Sequence, residues 1–127
     1  MFFLISTVLA LCVGTPAPAE PQITSTLTIT STLKHPLTLQ SSSCTGCVFL
    51  ANPPSSIVPG STVKSRFEVL PGFSVGTAKV GYGGSGESVA VAIEQFQIGA
   101  TPTVSFKCEP QHCTCTAGTA RNTTCTI

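Results

Sequence analysis

Apolar and polar residues alternate one for one along much of this chain, and that period of two constrains the fold more than any other feature. In an extended strand successive side chains point to opposite faces, so strict alternation describes a ribbon with one dry and one wet side. Ile23, Ser25, Leu27 and Ile29 share one face, opposite Thr24, Thr26, Thr28 and Thr30. Leu37 and Leu39 resume the pattern after a break at His35-Pro36. Val63, Ser65, Phe67 and Val69 oppose Lys64, Arg66 and Glu68. Ala78, Val80 and Tyr82 alternate with Lys79 and Gly81, and Val89, Val91 and Ile93 alternate with Ala90, Ala92 and Glu94. Val104 and Phe106 close the series ahead of Cys108.

Turn residues separate these runs. Asn52-Pro53-Pro54-Ser55-Ser56 and Pro59-Gly60-Ser61 bracket Ile57-Val58. Pro71-Gly72, the glycine-rich stretch Gly81 to Gly86, and Gly99-Ala100-Thr101-Pro102 mark further reversals. Short strands at near-regular spacing, with no sustained helical period, predict an all-β chain: a single antiparallel β-sandwich, with a closed barrel as the alternative. A short helical turn is admissible around Ser41 to Cys47.

Sulfur supplies the second constraint. The chain has seven cysteines. Cys12 lies in the apolar run Phe2 to Val13, which is too short to span a bilayer but fits the core of an export signal. Gly14, Thr15 and Pro16 break it, and Ala17-Pro18-Ala19 offers small residues for cleavage, predicting a signal peptide over 1–19 and a secreted domain from Glu20. Cys44, Cys47, Cys108, Cys113, Cys115 and Cys125 remain, an even set that predicts three disulfides in an exported protein. We therefore expect a sandwich core over 20–107 and a cysteine-rich tail, 108–127, stapled onto it. Six cysteines allow about 15 pairings. Cys113 and Cys115 are too close along a strand to bond each other easily, and Cys44 or Cys47 is the expected partner of the tail. Cys44-Thr45-Gly46-Cys47 also has redox-dithiol spacing, but it lies in a Ser- and Thr-rich loop without the helix start such a thiol needs. A zinc site built from these cysteines with His112 is disfavoured by the oxidising destination.

Composition narrows the function. The net charge is +1, with no basic face and no acidic run, so attraction to nucleic acid is not indicated. No second apolar segment is long enough to be a transmembrane anchor. No cofactor motif is present: the Gly81 to Gly86 run lacks the Lys-Ser/Thr of a phosphate loop. There is no Asp, so a hydrolytic site would have to combine His35 with Glu68, Glu87 or Glu94, and nothing in their spacing suggests it. Asn122-Thr123-Thr124 is an acceptor sequence for an N-linked glycan.

The segment Ile23 to Ser43 (ITSTLTITSTLKHPLTLQSSS), then Asn52-Pro53-Pro54, Ile57-x-Pro59-Gly60-Ser61 and Gly76-Thr77-x-x-Val80-x-Tyr82, resembles the aegerolysin-like family and related bacterial crystal proteins. Those proteins carry a T-L-T-L strand, a PP-x-x-I-x-PG-s turn and a G-T-x-G-x-V-x-Y strand in this order. The resemblance spans about half of the exported part. It implies a small β-sandwich of a kind that in some members binds membrane lipid and recruits a pore-forming partner. This chain departs from the family in its six-cysteine framework, its lack of Trp and its single Tyr. Its size, export signal and cysteine density also resemble secreted effector-type proteins of fungi.

The reading these features support is a secreted binding module, not an enzyme, that recognises a lipid head group, a glycan or a host protein through its loops. The favoured loops are Thr45 to Pro54, Pro71 to Val75 and Gly81 to Glu87, with Phe49, Phe73 and Tyr82 as anchors unless they pack in the core. The alternative is a surface-coating cell-wall protein without a discrete ligand, suited by high Thr and Ser content and low charge.

Overall fold

Ile23, Ser25, Leu27 and Ile29 are all buried, and the threonines between them are half-exposed, so the first alternating run becomes a strand with one face on the core. The structure, a computed structural model, describes residues 23–127. The segment read as an export signal, and Glu20, lie outside the described residues.

Ten strands follow in order: β1 (Ile23–Thr30), β2 (Leu37–Thr45), β3 (Cys47–Ala51), β4 (Ser56–Ile57), β5 (Thr62–Val69), β6 (Val75–Gly84), β7 (Glu87–Phe96), β8 (Thr103–Glu109), β9 (Thr114–Ala117) and β10 (Asn122–Thr126). They form two five-stranded sheets, sheet A in the order β3-β5-β1-β10-β9 and sheet B in the order β4-β2-β6-β7-β8. No helix occurs among the described residues, so Ser41 to Cys47 is strand and turn and not a helical turn. All strand pairs are antiparallel except β1 with β10, which run parallel. The sandwich predicted from alternation is the fold.

The core lies between the sheets. Leu27, Ile29 and Phe67 from sheet A meet Val80, Tyr82, Val89, Val91 and Ile93 from sheet B, with Leu37, Ile57 and Ile127 closing one end. Each fully buried aliphatic or aromatic side chain contributes about 1.5–3 kcal/mol relative to exposure. Phe49 is half-buried on edge strand β3 and meets Phe67 edge-on, with centroids 6.4 Å apart.

The tail is not laid across a finished sandwich. The expected boundary at 107/108 falls inside β8 of sheet B, and β10 is an interior strand of sheet A. Thr123 and Cys125 of β10 are fully buried. The parallel pairing of β10 with β1 escapes a local reading because it joins residues almost a hundred positions apart, such as Thr28 and Thr124.

The disulfides are Cys44–Cys47, Cys108–Cys113 and Cys115–Cys125. All six expected cysteines are used, and Cys113 and Cys115 do bond to different partners. The expected link from Cys44 or Cys47 to the tail is absent, for a geometric reason. β3 and β9 are opposite edges of sheet A, four strand spacings or about 19 Å apart. A disulfide tolerates roughly 7 Å between Cα atoms. Instead, Cys44–Cys47 ties β2 of sheet B to β3 of sheet A, with Cα atoms 5.2 Å apart. Cys108–Cys113 ties β8 of sheet B to the chain entering β9 of sheet A, at 5.9 Å. These two staples therefore close diagonally opposite corners of the sandwich. Cys115–Cys125 joins directly facing residues within sheet A.

Candidate functional site

The strand registers sort the loops between two ends. At one end stand the Thr45-Gly46 turn, the β5–β6 loop (70–74), the β7–β8 loop (97–102) and the β9–β10 loop (118–121). We call this the Ile98 end. The other, the His35 end, carries the β1–β2 loop with Lys34 and His35, the proline turns around Pro53 and Pro59, the Ser85-Gly86 hairpin and the 110–113 connection.

Large apolar side chains collect at the Ile98 end. Phe73 and Phe96 are nearly half exposed, and Ile98 is 93% exposed. Phe96 pairs in register with Val75, and the amide of Gln97 donates to the carbonyl of Ser74 at 2.8 Å, which brings the loops bearing Phe73 and Ile98 side by side. Isolated exposed apolar residues are ordinary; several on adjoining loops mark a contact surface.

Burial of neighbouring polar groups makes this display rigid. Gln95 continues the inward face of β7 and is fully buried. Its Nε2 donates to the carbonyls of Phe96 at 3.0 Å and Gly99 at 3.1 Å, on either side of Ile98. Arg121 holds the same loop from β9–β10. Its Nε donates to the Gly99 carbonyl at 3.1 Å and its amide to the Ala100 carbonyl at 2.8 Å. The carbonyl of Arg121 accepts in turn from Thr26 N at 3.0 Å and from Ser25 Oγ at 3.1 Å. Ile98 is thus held out in water by a hydrogen-bonded frame.

Phe73 is positioned by a glycine. Gly46 has φ of 70°, and a Cβ there would lie 2.7 Å from the Val75 carbonyl oxygen and 2.9 Å from Phe73 Cδ2. Only glycine allows the turn and the ring to meet so closely. The Cys44–Cys47 bridge spans this same turn.

The other residues singled out from sequence fall elsewhere. Tyr82, expected as a loop anchor, is 2% exposed, near the C-terminal end of β6. Its hydroxyl donates to the Pro54 carbonyl at 2.7 Å, and burial pushes its pKa up to about 12. Gly81 to Gly84 is strand, and the reversal is the two-residue turn Ser85-Gly86, with φ of 53° and 79°. The favoured loops consequently divide between opposite ends. Asn122 is exposed at the start of β10. Glu68 and Glu94 belong to different sheets and both point away from the core, on opposite outer faces, so they cannot share a site. His35 and Glu87 lie at the His35 end, and among the described residues no hydrogen bond or ion pair joins them.

Phe96, Ile98 and Arg121 were not anticipated. One signal was available: the apolar phase flips at Gln95-Phe96. Apolar residues occupy odd positions through Ile93, then even positions at Phe96 and Ile98. Continuing the strand therefore puts a glutamine inside and two large apolar residues outside.

A trough of about 380 Å³ lies farther along the outer face of sheet B, floored by Gly81, Ala90 and Ala92 between Lys79 and Lys107. Lys107 is paired with Glu109 at 3.6 Å, both well exposed.

No protein-family profile matches this chain, and no curated protein matches it. Among solved structures, the lipid-binding protein Nakanori is similar, with a TM-score of 0.64 and 9% identity over 97% of this chain and 75% of that one. At such identity the likeness shows a shared fold, and it supports the aegerolysin-like resemblance as far as the β-sandwich.

Proposed function

We propose that this chain is an exported lipid-surface-binding module that docks through its Ile98 end. The observation that carries the reading is Ile98 itself, exposed to water yet framed by Gln95 and Arg121, with Phe73 and Phe96 beside it. A membrane interface takes up side chains presented this way to a depth of about 5–10 Å. The lipid-binding neighbour of the same fold supports the choice of lipid over glycan or host protein. Three disulfides support an oxidising, extracellular destination. No helix of the described residues is long and apolar enough to cross a membrane.

The test is co-sedimentation of the oxidised chain with phospholipid vesicles, beside a glycan array. Wild type pellets with vesicles, and Phe73→Ser/Ile98→Ser lowers the apparent affinity on the order of 100-fold while leaving the thermal unfolding midpoint nearly unchanged. Equal binding by wild type and the double variant excludes this end as the contact.

The surface-coating alternative has one observation of its own. Edge strand β3 carries no charge and exposes Val48 and Leu50, which suits edge-to-edge pairing of copies. Sedimentation equilibrium at high concentration separates the readings: self-association lost in Val48→Lys/Leu50→Lys favours the coat, and a strict monomer rules it out.

A further inference from the structure

We propose that Arg121 is a phosphate receptor, its guanidinium taking the phosphate of a phospholipid head group when the Ile98 end meets a membrane. This deepens the lipid-surface reading above and rests on it.

Arg121 is held by its backbone in an uncommon conformation. Its φ is 59°, in the left-handed region that side-chain-bearing residues seldom occupy. Its amide and carbonyl are both engaged, with Ala100 on one side and with Thr26 and Ser25 on the other. A backbone outlier fixed from both sides invites a functional explanation.

The side chain is equally constrained. Nε donates to the Gly99 carbonyl, which fixes the planar guanidinium against the loop that carries Ile98. A guanidinium has five N–H donors in a rigid fork. Among the described residues no acceptor takes the four on the terminal nitrogens. The ion pair found among those residues is Lys107–Glu109, so no carboxylate there neutralises Arg121. The result is a half-buried, oriented cation with its bidentate edge open, the form that matches two oxygens of a phosphate.

Depth fits this assignment. Gly99 follows Ile98 directly, and one extended residue spans about 3.3 Å. With Ile98 at the acyl boundary, the Gly99 carbonyl and the guanidinium fixed to it sit in the head-group layer, where the phosphates are.

Two vesicle types separate phosphate recognition from apolar insertion: phosphatidylcholine, and digalactosyldiacylglycerol, whose uncharged head group has no phosphate. Wild type is expected to bind phosphatidylcholine at least about ten-fold more tightly, the range of a charge-assisted hydrogen-bonded pair. Arg121→Gln is expected to bind both equally, at the wild-type affinity for the galactolipid, and Arg121→Lys to restore only part of the preference. Inorganic phosphate is expected to leave vesicle binding unchanged, since a free anion lacks the apolar contact. A wild type that does not discriminate overturns the proposal, as does a preference retained in Arg121→Gln. Equal losses on both vesicles assign Arg121 to loop support alone, and release by inorganic phosphate assigns the site to the free anion. Wild type binding neither vesicle refutes the lipid reading itself, and this proposal with it.

Discussion

The two ends of the sandwich have the same scaffold and opposite chemistry. The His35 end gathers titratable groups, Lys34, His35, Glu87, Glu109 and His112, on polar and proline-bearing turns. Among the described residues its one exposed large apolar side chain is Val58. The Ile98 end gathers Phe73, Phe96 and Ile98 and spends a buried glutamine and an arginine on holding the Ile98 loop in water. Water does not favour such an arrangement at either end, so the difference points to a contact that only one end makes. Each end is fixed by a disulfide between the sheets, so stiffness does not separate them.

The sharpest break of this comparison is a charge placed at each end. Ile98→Glu should weaken vesicle binding about 10- to 100-fold, the value of one apolar side chain, whereas Val58→Glu should stay within about two-fold. Surface plasmon resonance on captured vesicles reads both, and comparable losses would erase the asymmetry.

Stability offers a second contrast. Gly46 and Gly86 share a left-handed φ, 70° and 79°, but a Cβ at Gly46 meets the Val75 carbonyl while one at Gly86 meets nothing within 4 Å. Gly46→Ala should cost about 2–3 kcal/mol in urea unfolding, conformation plus overlap, and Gly86→Ala only about 1 kcal/mol. Equal costs would mean that Phe73 and Val75 yield freely at the Ile98 end.

A smaller effect probes the core toward the His35 end. Tyr82→Phe leaves the Pro54 carbonyl without its donor and should cost about 1 kcal/mol. The phenol ordinarily ionises near pH 10 and in the folded chain near 12. Below pH 10 both states hold the proton. From pH 10 to 12 the unfolded chain releases it while the folded chain keeps it, so wild-type stability falls across that window. Tyr82→Phe should flatten this fall in urea midpoints measured at successive pH values.

The alternating runs were legible because each strand's partition of wet and dry is local. Ile23 to Ile29, Val63 to Val69 and Val89 to Ile93 take the faces their period assigns. Two things were not legible. The parallel seat of β10 beside β1 depends on contacts across nearly the whole chain. The disulfide pairing depends on which strands become sheet edges, a property of topology and not of spacing. The site was half visible: Phe73 beside Pro71-Gly72 stood out as an apolar residue in a turn, while Tyr82 beside its glycines was misplaced. A glycine run inside a strand looks like a loop, although at Gly84 a Cβ would lie 2.7 Å from the Pro36 carbonyl oxygen. Arg121 carries no local mark, because its role comes from the Gly99 carbonyl of another loop.

The chain has no tryptophan, so a single one placed at either end reports only its own surroundings. Ile98→Trp and Val58→Trp, titrated with vesicles containing brominated lipid, test the central claim directly. The tryptophan at position 98 should shift to the blue and be strongly quenched, and the one at position 58 should keep an unchanged spectrum. Quenching at position 58, or silence at position 98 while the protein pellets with vesicles, contradicts that claim.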